Sequence, residues 1–384
     1  MDLVDYFRDA AYHSLALLSL STAHIRDLIM SMIFSRDTPS RRALFYALLA
    51  FSSLHRSGLH RKTMLFKVAA LAALSASAKE ASDGLAAAAQ HIAACMILCS
   101  FEIFLPTENS GDWILYVQGA IEIIQHSRLE NKLGYGDNSK LVDWVYYHGS
   151  MSRFALFHWR HRYLTMGATS TPTSVVPQMT RYPLWPDKRT ASLAKRPACA
   201  VLNILSEICD VLLDPSDPKS QEKEYKDRLR ALEAKVDSLP TVSSATTALH
   251  KPNDELAHTL ALYKTAIRVY LARASQNPLE PMADMDSLLD LVYAGSFRHN
   301  GCRHFFPLLI LSCEARTDEQ RASILDLIER TEKNGNVRSM KALRPQVQSF
   351  WKQQDLYADG DLVMNYLDVM KAVISSNTSL PSYV

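Results

Sequence analysis

The sequence predicts an all-α protein, a single large array of antiparallel helix pairs with no convincing strand. Three observations carry this. Apolar residues recur at spacings of three and four through most of the chain, and no segment alternates with the period of two that a half-buried strand needs. Helix start and stop signals bracket those stretches, and Ala-rich runs such as 86–97 put small side chains where neighbouring helices can approach closely. No repeat of 20 to 50 residues is present, so a regular solenoid is not supported.

In chain order, residues 3–34 carry Leu3, Phe7, Leu15, Ile25, Leu28, Ile29 and Ile33 between charges, which reads as one or two helices. Pro39, following Asp37 and Thr38, opens a helix rather than breaking one, because its missing N–H is an orphan of the first turn anyway; Gly58 closes it. A third helix covers about 59–79. Asp83-Gly84 is a turn, and an Ala-rich apolar helix then runs from Leu85 to Phe104, stopped by Pro106. Asn109-Ser110-Gly111-Asp112 caps a helix from Trp113 to about Arg128. After a Gly-rich loop at 131–139, an aromatic helix runs from Leu141 to about Arg162 with Trp144, Tyr147, Phe154 and Trp159.

Residues 167–198 hold five prolines with many Ser and Thr and read as an extended loop between an N-terminal half, 1–165, and a C-terminal half, 199–378, of one domain, 1–384. Helices follow at about 199–213, 221–236, 254–274 and 285–293, and one or two more at 341–376. The organising stretch is 300–331. Phe305, Phe306, Leu308, Leu309, Ile310 and Leu311 make a helix apolar on nearly every side, which fits packing on all faces. Thr317 with Gln320 three residues on is a capping box, and Ile324, Leu327 and Ile328 then mark an amphipathic helix.

Composition removes several function classes. The chain has 384 residues, 48% of them hydrophobic, and 42 Lys plus Arg against 40 Asp plus Glu leave a formal charge of +2. No global field points to nucleic acid or an anionic membrane. Six cysteines in apolar helical contexts read as reduced thiols of a cytosolic or nuclear protein. No uninterrupted apolar run approaches a membrane span and residues 1–25 lack a signal layout, so the expectation is a soluble, non-secreted chain without membrane contact. Gly-x-Gly-x-x-Gly, Gly-Lys-Ser, Gly-x-Ser-x-Gly and His-Glu-x-x-His patterns are absent, as are paired Asp clusters for magnesium, so no catalytic, cofactor-binding or metal residue is assigned and no cofactor is expected.

Three constellations have both a functional and a structural reading. His91, Cys95 and Cys99 share one helical face and offer three metal ligands, or simply fill a core where Cys behaves as a small apolar residue. Arg153, His158, Arg160, His161 and Arg162 form a basic cluster that could hold an anion, or act as cations complementing a helix C-terminus. Glu102 and Glu314 sit on apolar helices, as catalytic acids or as buried carboxylates bonded to Arg or to a neighbouring helix end. The structural reading is the favoured one in each case.

Several segments together resemble the fungal-specific transcription factor domain. The first half carries Ala43 to His55, Ala87 to Glu102, and Trp113 with Gly119-Ala120. The second half carries Tyr263 to Leu271, the element Phe306-Pro307-Leu308-Leu309-Ile310-Leu311-Ser312-Cys313-Glu314-Ala315, Arg321, and Phe350-Trp351 with Asp355. The likeness is collinear over about residues 1–375. It implies an all-helical regulatory module that lies C-terminal to a DNA-binding zinc cluster, holds activity in check and receives a small-molecule or partner signal. No Cys-x-x-Cys-x6-Cys pattern occurs among these residues, so direct DNA contact by this chain is not expected.

The implied function is the regulatory or effector domain of a fungal transcription factor, nuclear in location, with other transcription regulators, an apolar small molecule and a possible second copy as partners. Some relatives resemble sterol sensors, which makes Glu102, Trp113, Trp144, Tyr147, Phe154 and His158 the candidates for a pocket walled by the aromatic and Ala-rich helices. The alternative is a stand-alone helical pocket protein, or a metal-independent enzyme acting on an apolar metabolite, in the cytoplasm.

Overall fold

The computed structural model describes residues 2–18, 22–79, 84–105, 111–127, 138–159, 197–239, 252–277, 284–293, 302, 304–334, 339–357, 365–377 and 380–384. Among them are fifteen α-helices, two short 3-10 turns and no strand. The helical array expected from the sequence is present. The chain separates into two compact units, Met1–Gly149 and Ser150–Val384.

The first unit begins with α1 (Leu3–Asp9), a 3-10 turn (Ala11–Ser14) and α2 (Thr22–Ile33), so the first stretch is two helices joined by a tight turn. α3 (Pro39–Ser57) starts as its sequence dictates. The Thr38 side chain accepts from the Arg41 N–H at 3.1 Å, Pro39 occupies the first turn, and Gly58 at φ 76° closes the helix in a conformation that side chains resist. α4 (Arg61–Lys79) follows after three residues, then α5 (Leu85–Phe104) and α6 (Trp113–Ser127). The packed pairs are α3 with α4, α3 with α5 and α5 with α6. Short connections make successive helices antiparallel, and Ala43, Ala47, Ala93 and Ala94, all fully buried, let α3 and α5 lie close.

α5 is long and apolar enough to cross a membrane by length and composition, and 72% of that window is buried inside the fold. This qualifies the expectation that no stretch would approach a span. Its polar residues, Gln90 and Glu102, are buried and bonded internally, which a core helix allows.

The unit boundary falls inside α7 (Asn138–Trp159). The second unit continues with α8 (Pro197–Val211), a 3-10 turn (Pro218–Gln221), α9 (Lys223–Ser238), α10 (Pro252–Ala274), α11 (Asp286–Leu291), α12 (Phe305–Ser312), α13 (Asp318–Asn334), α14 (Ser339–Tyr357) and α15 (Tyr366–Ser375). Every residue of α12 is buried, as its unbroken apolar sequence requires. It packs on α10 and α14, while α8 packs on α9 and α10, α13 on α14, and α15 on α10 and α14. The expected loop at 167–198, the Gly-rich loop and the end of the aromatic helix beyond Trp159 lie outside the described residues, apart from the first turn of α8.

Candidate functional site

The end of α12 is where the second unit's polar chemistry collects. That end is buried, and its last carbonyls take the Glu314 N–H at Leu311 and the Ala315 N–H at Ser312, each at 3.2 Å, with side-chain donors added on the remaining lone pairs. Tyr293 Oη donates to the Leu311 carbonyl at 2.7 Å, Trp351 Nε1 to that of Ser312 at 2.8 Å, and Gln354 Nε2 to that of Cys313 at 2.8 Å. Beside them Arg273 Nε and Nη2 donate to Glu314 Oε2 at 2.9 and 2.8 Å, and both side chains are almost fully buried. Burial strengthens the attraction and makes either partner alone costly.

The chain then turns into α13 through the capping box. Gln320 N–H donates to Thr317 Oγ1 at 3.2 Å, and Gln320 Oε1 accepts from the Arg316 and Thr317 amides at 2.9 and 3.3 Å. Arg321 forms a two-point pair with Asp355, Nη1 to Oδ2 at 2.9 Å and Nη2 to Oδ1 at 2.7 Å, and its guanidinium lies 5.3 Å from the Trp351 ring centroid. That pairing holds the Asp355 carboxyl below its ordinary range. Glu314, Arg321, Trp351 and Asp355, scattered across the sequence motifs, form one joint that ties α10, α12, α13 and α14.

All six pocket candidates are buried. In the first unit, Glu102 is met by Lys67 Nζ at 2.6 Å; burial raises its carboxyl pKa and the Lys67 hydrogen bond and charge oppose the rise. Trp113 starts α6, and Trp144 and Tyr147 both set ring edges against His148, at centroid distances of 6.2 and 5.6 Å. The Trp144 indole N–H has no hydrogen-bond partner among the described residues. In the second unit, Phe154 is surrounded by His158, Tyr270, Phe306 and Tyr383 at 4.8 to 5.4 Å between centroids, all edge-on.

His158 corrects one expectation. As part of a basic run it reads as a cation complementing a helix end, but it is completely buried, its Nε2 is 2.9 Å from Tyr270 Oη, and desolvation takes its pKa down to about 3, with Lys371 adding to the effect. It is a neutral imidazole, and its Nδ1 has no hydrogen-bond partner among the described residues. Arg153 is committed to Asp210, with Nε to Oδ1 at 2.8 Å. Arg160, His161 and Arg162 lie outside the described residues.

The Cys95 and Cys99 face is core. Burial lifts the Cys95 thiol to about 12 and Cys99 well above its ordinary value, while His91 Nδ1 turns instead to Ser77 Oγ at 3.2 Å. All six cysteines are buried, and among the described residues no three His, Cys, Asp or Glu groups gather as a metal site. Protonated thiols dispersed through a helical core do not fit a zinc cluster.

Two hubs are not evident from sequence. Buried Gln90 accepts from Ser40 Oγ at 2.9 Å and Thr38 Oγ1 at 3.2 Å and donates to Ser35 Oγ at 2.7 Å, joining α5 to the α2–α3 turn. His55 meets Tyr6 Oη and Ser14 Oγ, each at 2.9 Å, joining α3 to α1 and the 3-10 turn. A lone Gln in an Ala run is the only trace of the first, and nothing marks the second.

Comparison with known proteins decides the family. The fungal specific transcription factor domain matches residues 2–379, nearly the whole chain. The chain belongs to that family. Transcription factor iacI of Pestalotiopsis fici is 32% identical over 386 aligned positions, which cover 100% of this chain and 95% of that protein. No solved structure matches. In this chain the segments at Phe306 to Ala315, Arg321 and Trp351 to Asp355 meet at the buried end of α12.

Proposed function

We propose that this chain is the regulatory module of a fungal transcription regulator, acting in the nucleus, which changes output when it receives a small molecule or a partner protein and leaves DNA contact to another segment or subunit. The family match across residues 2–379 carries this reading, and the likeness to a transcription factor along the full chain supports it. The candidate polar groups agree with a sensor better than with a catalyst. Glu102 is met by Lys67 and Glu314 by Arg273, so each carboxylate already has a cation within the fold, and His158 is a buried neutral imidazole.

A ligand, on this reading, is apolar with one hydrogen-bonding group. In the second unit, the Nδ1 of His158 and the hydroxyl of Tyr366 are buried and have no hydrogen-bond partner among the described residues, each a site where a polar atom gains about 1–3 kcal/mol by finding a partner. The test is a fusion of the chain to a heterologous DNA-binding module, read on a reporter together with the location of a fluorescent tag. A nuclear fusion that shifts reporter output relative to the DNA-binding module alone supports the proposal. A silent fusion, together with turnover of a co-purifying metabolite by the chain, overturns it in favour of metabolite chemistry.

A further inference from the structure

In the Met1–Gly149 unit, α4 is apolar on two sides. One side is used: Thr63, Ala70, Leu74 and Ser77 are buried, and Thr63 Oγ1 meets Ser53 Oγ of α3 at 2.8 Å. The other side carries Leu65, 59% exposed, Val68 at 58%, Leu71 at 39% and Met64 at 37%. These positions follow the three-and-four spacing of a helix face. Four of the nine exposed large apolar side chains among the described residues lie on α4, with Leu59 just before it, so the exposure is concentrated rather than scattered.

The charges beside this face identify what would cover it. α4 carries Arg61, Lys62, Lys67 and Lys79 and no carboxylate. Lys67 is committed to Glu102, whereas Arg61 and Lys62 are exposed and paired with no carboxylate among the described residues. They occupy the first turn, where the positive end of the helix dipole makes cations unfavourable. Lys62 Nζ reaches over the Phe66 ring one turn on, 5.8 Å from its centroid, and with Arg61 it sets two cations immediately ahead of Met64 and Leu65. A second copy of the chain answers this poorly: antiparallel pairing brings Arg61 and Lys62 towards the partner copy's Lys79, and parallel pairing stacks them on themselves. An acidic partner relieves the dipole and the cations together.

We propose that the exposed α4 face is a docking surface for an acidic amphipathic segment of another regulator, a short helix with bulky apolar side chains at i, i+3 or i+4 and carboxylates beside them. The apolar anchors lie on Leu65, Val68 and Leu71 and the carboxylates meet Arg61 and Lys62. The inference deepens the regulatory reading and rests on it for the partner being a regulator.

The test uses the full chain, two fluorescein-labelled amphipathic peptides and fluorescence anisotropy. One peptide has Leu and Phe anchors with Asp and Glu between them; the other has Lys in place of every acid. The acidic peptide is expected to bind, to weaken as salt rises, and to lose roughly tenfold or more in affinity with Leu65→Asp or Val68→Asp. Arg61→Glu with Lys62→Glu is expected to weaken the acidic peptide and admit the Lys peptide. These residues are exposed, so thermal melts of the variants should match the parent. Equal affinity for both peptides, or binding unchanged by Leu65→Asp, overturns the proposal. So does a dimer in sedimentation that Leu65→Asp splits, or capture by phosphatidylserine vesicles with no binding of the acidic peptide. Because binding is read without a promoter, a silent reporter fusion with intact peptide binding sinks the regulatory reading alone.

Discussion

The two units are held by different physics. In Met1–Gly149 one ion pair, Lys67–Glu102, stands beside neutral ties in which Gln90 bonds three hydroxyls and His55 two, and the helices meet through small side chains such as Ala47 and Ala93. In Ser150–Val384 the ties are a buried ion pair, Arg273–Glu314, an exposed two-point pair, Arg321–Asp355, and large rings whose N–H or O–H groups terminate a helix. The contrast teaches where each unit is fragile. The first should be sensitive to added volume and the second to lost charge or lost donors.

The largest effect that would break this comparison is at the buried pair. Glu314→Ala removes the carboxylate that meets the buried Arg273 guanidinium and should cost about 3–5 kcal/mol. Arg273→Met with Glu314→Leu should recover most of that loss, and a double-mutant cycle by denaturant melts reads the coupling. Simple additivity of the two single losses would show that the pair is not what holds α10 to the end of α12. Second in size is overpacking of the first unit. Ala93→Leu should cost about 1–3 kcal/mol in the melting of that unit, since α3 and α5 have no room for an added isobutyl group.

Trp351→Phe sharpens the same contrast at a similar or smaller magnitude. It keeps the ring and removes the donor to the Ser312 carbonyl, for an expected loss of about 1–3 kcal/mol. Acid should affect both units through their buried histidines. Folding lowers the pKa of His148 to about 4 and of His158 to about 3, so the unfolded chain binds more protons below about 6.5. Stability should therefore be full above that pH and fall by about 1.4 kcal/mol per unit per histidine as pH drops through the window, down to each folded value. A pH series of melts checks this, and replacing His158 by Gln should flatten the slope in the second unit. The smallest effect is Asp355→Asn, roughly 0.5 kcal/mol in salt-dependent melts, because the carboxylate is exposed and water competes for the guanidinium.

Local chemistry was legible in the sequence wherever partners lie a few residues apart. The Thr317–Gln320 box, the Thr38 cap with Pro39 and Gly58, and the fully buried α12 each follow from side chains acting on backbone within one turn or from an unbroken apolar run. That Glu314 is a paired buried carboxylate also follows, because an unpaired one is too costly. The identity of its partner does not: Arg273 lies 41 residues away and reaches it only once α10 and α12 are packed. Gln90 reads as an ordinary polar interruption of an Ala run until three hydroxyls from 35, 38 and 40 converge on it.

His158 and α4 mark the same divide. A histidine in a basic run reads as a cation, and complete burial against Tyr270 makes it neutral. The helix at about 59–79 is read from sequence with no face assigned, and packing against α3 uses one side and leaves Leu65 and Val68 in water. By itself the sequence determined the helical class, the main caps, the buried central helix and the family, because periodicity and capping act over three or four residues and the motifs lie in order along the chain. Tertiary structure alone decided which carboxylate meets which cation, which titratable group stays neutral and which apolar face is left uncovered, because desolvation and pairing depend on neighbours brought together from distant parts of the chain.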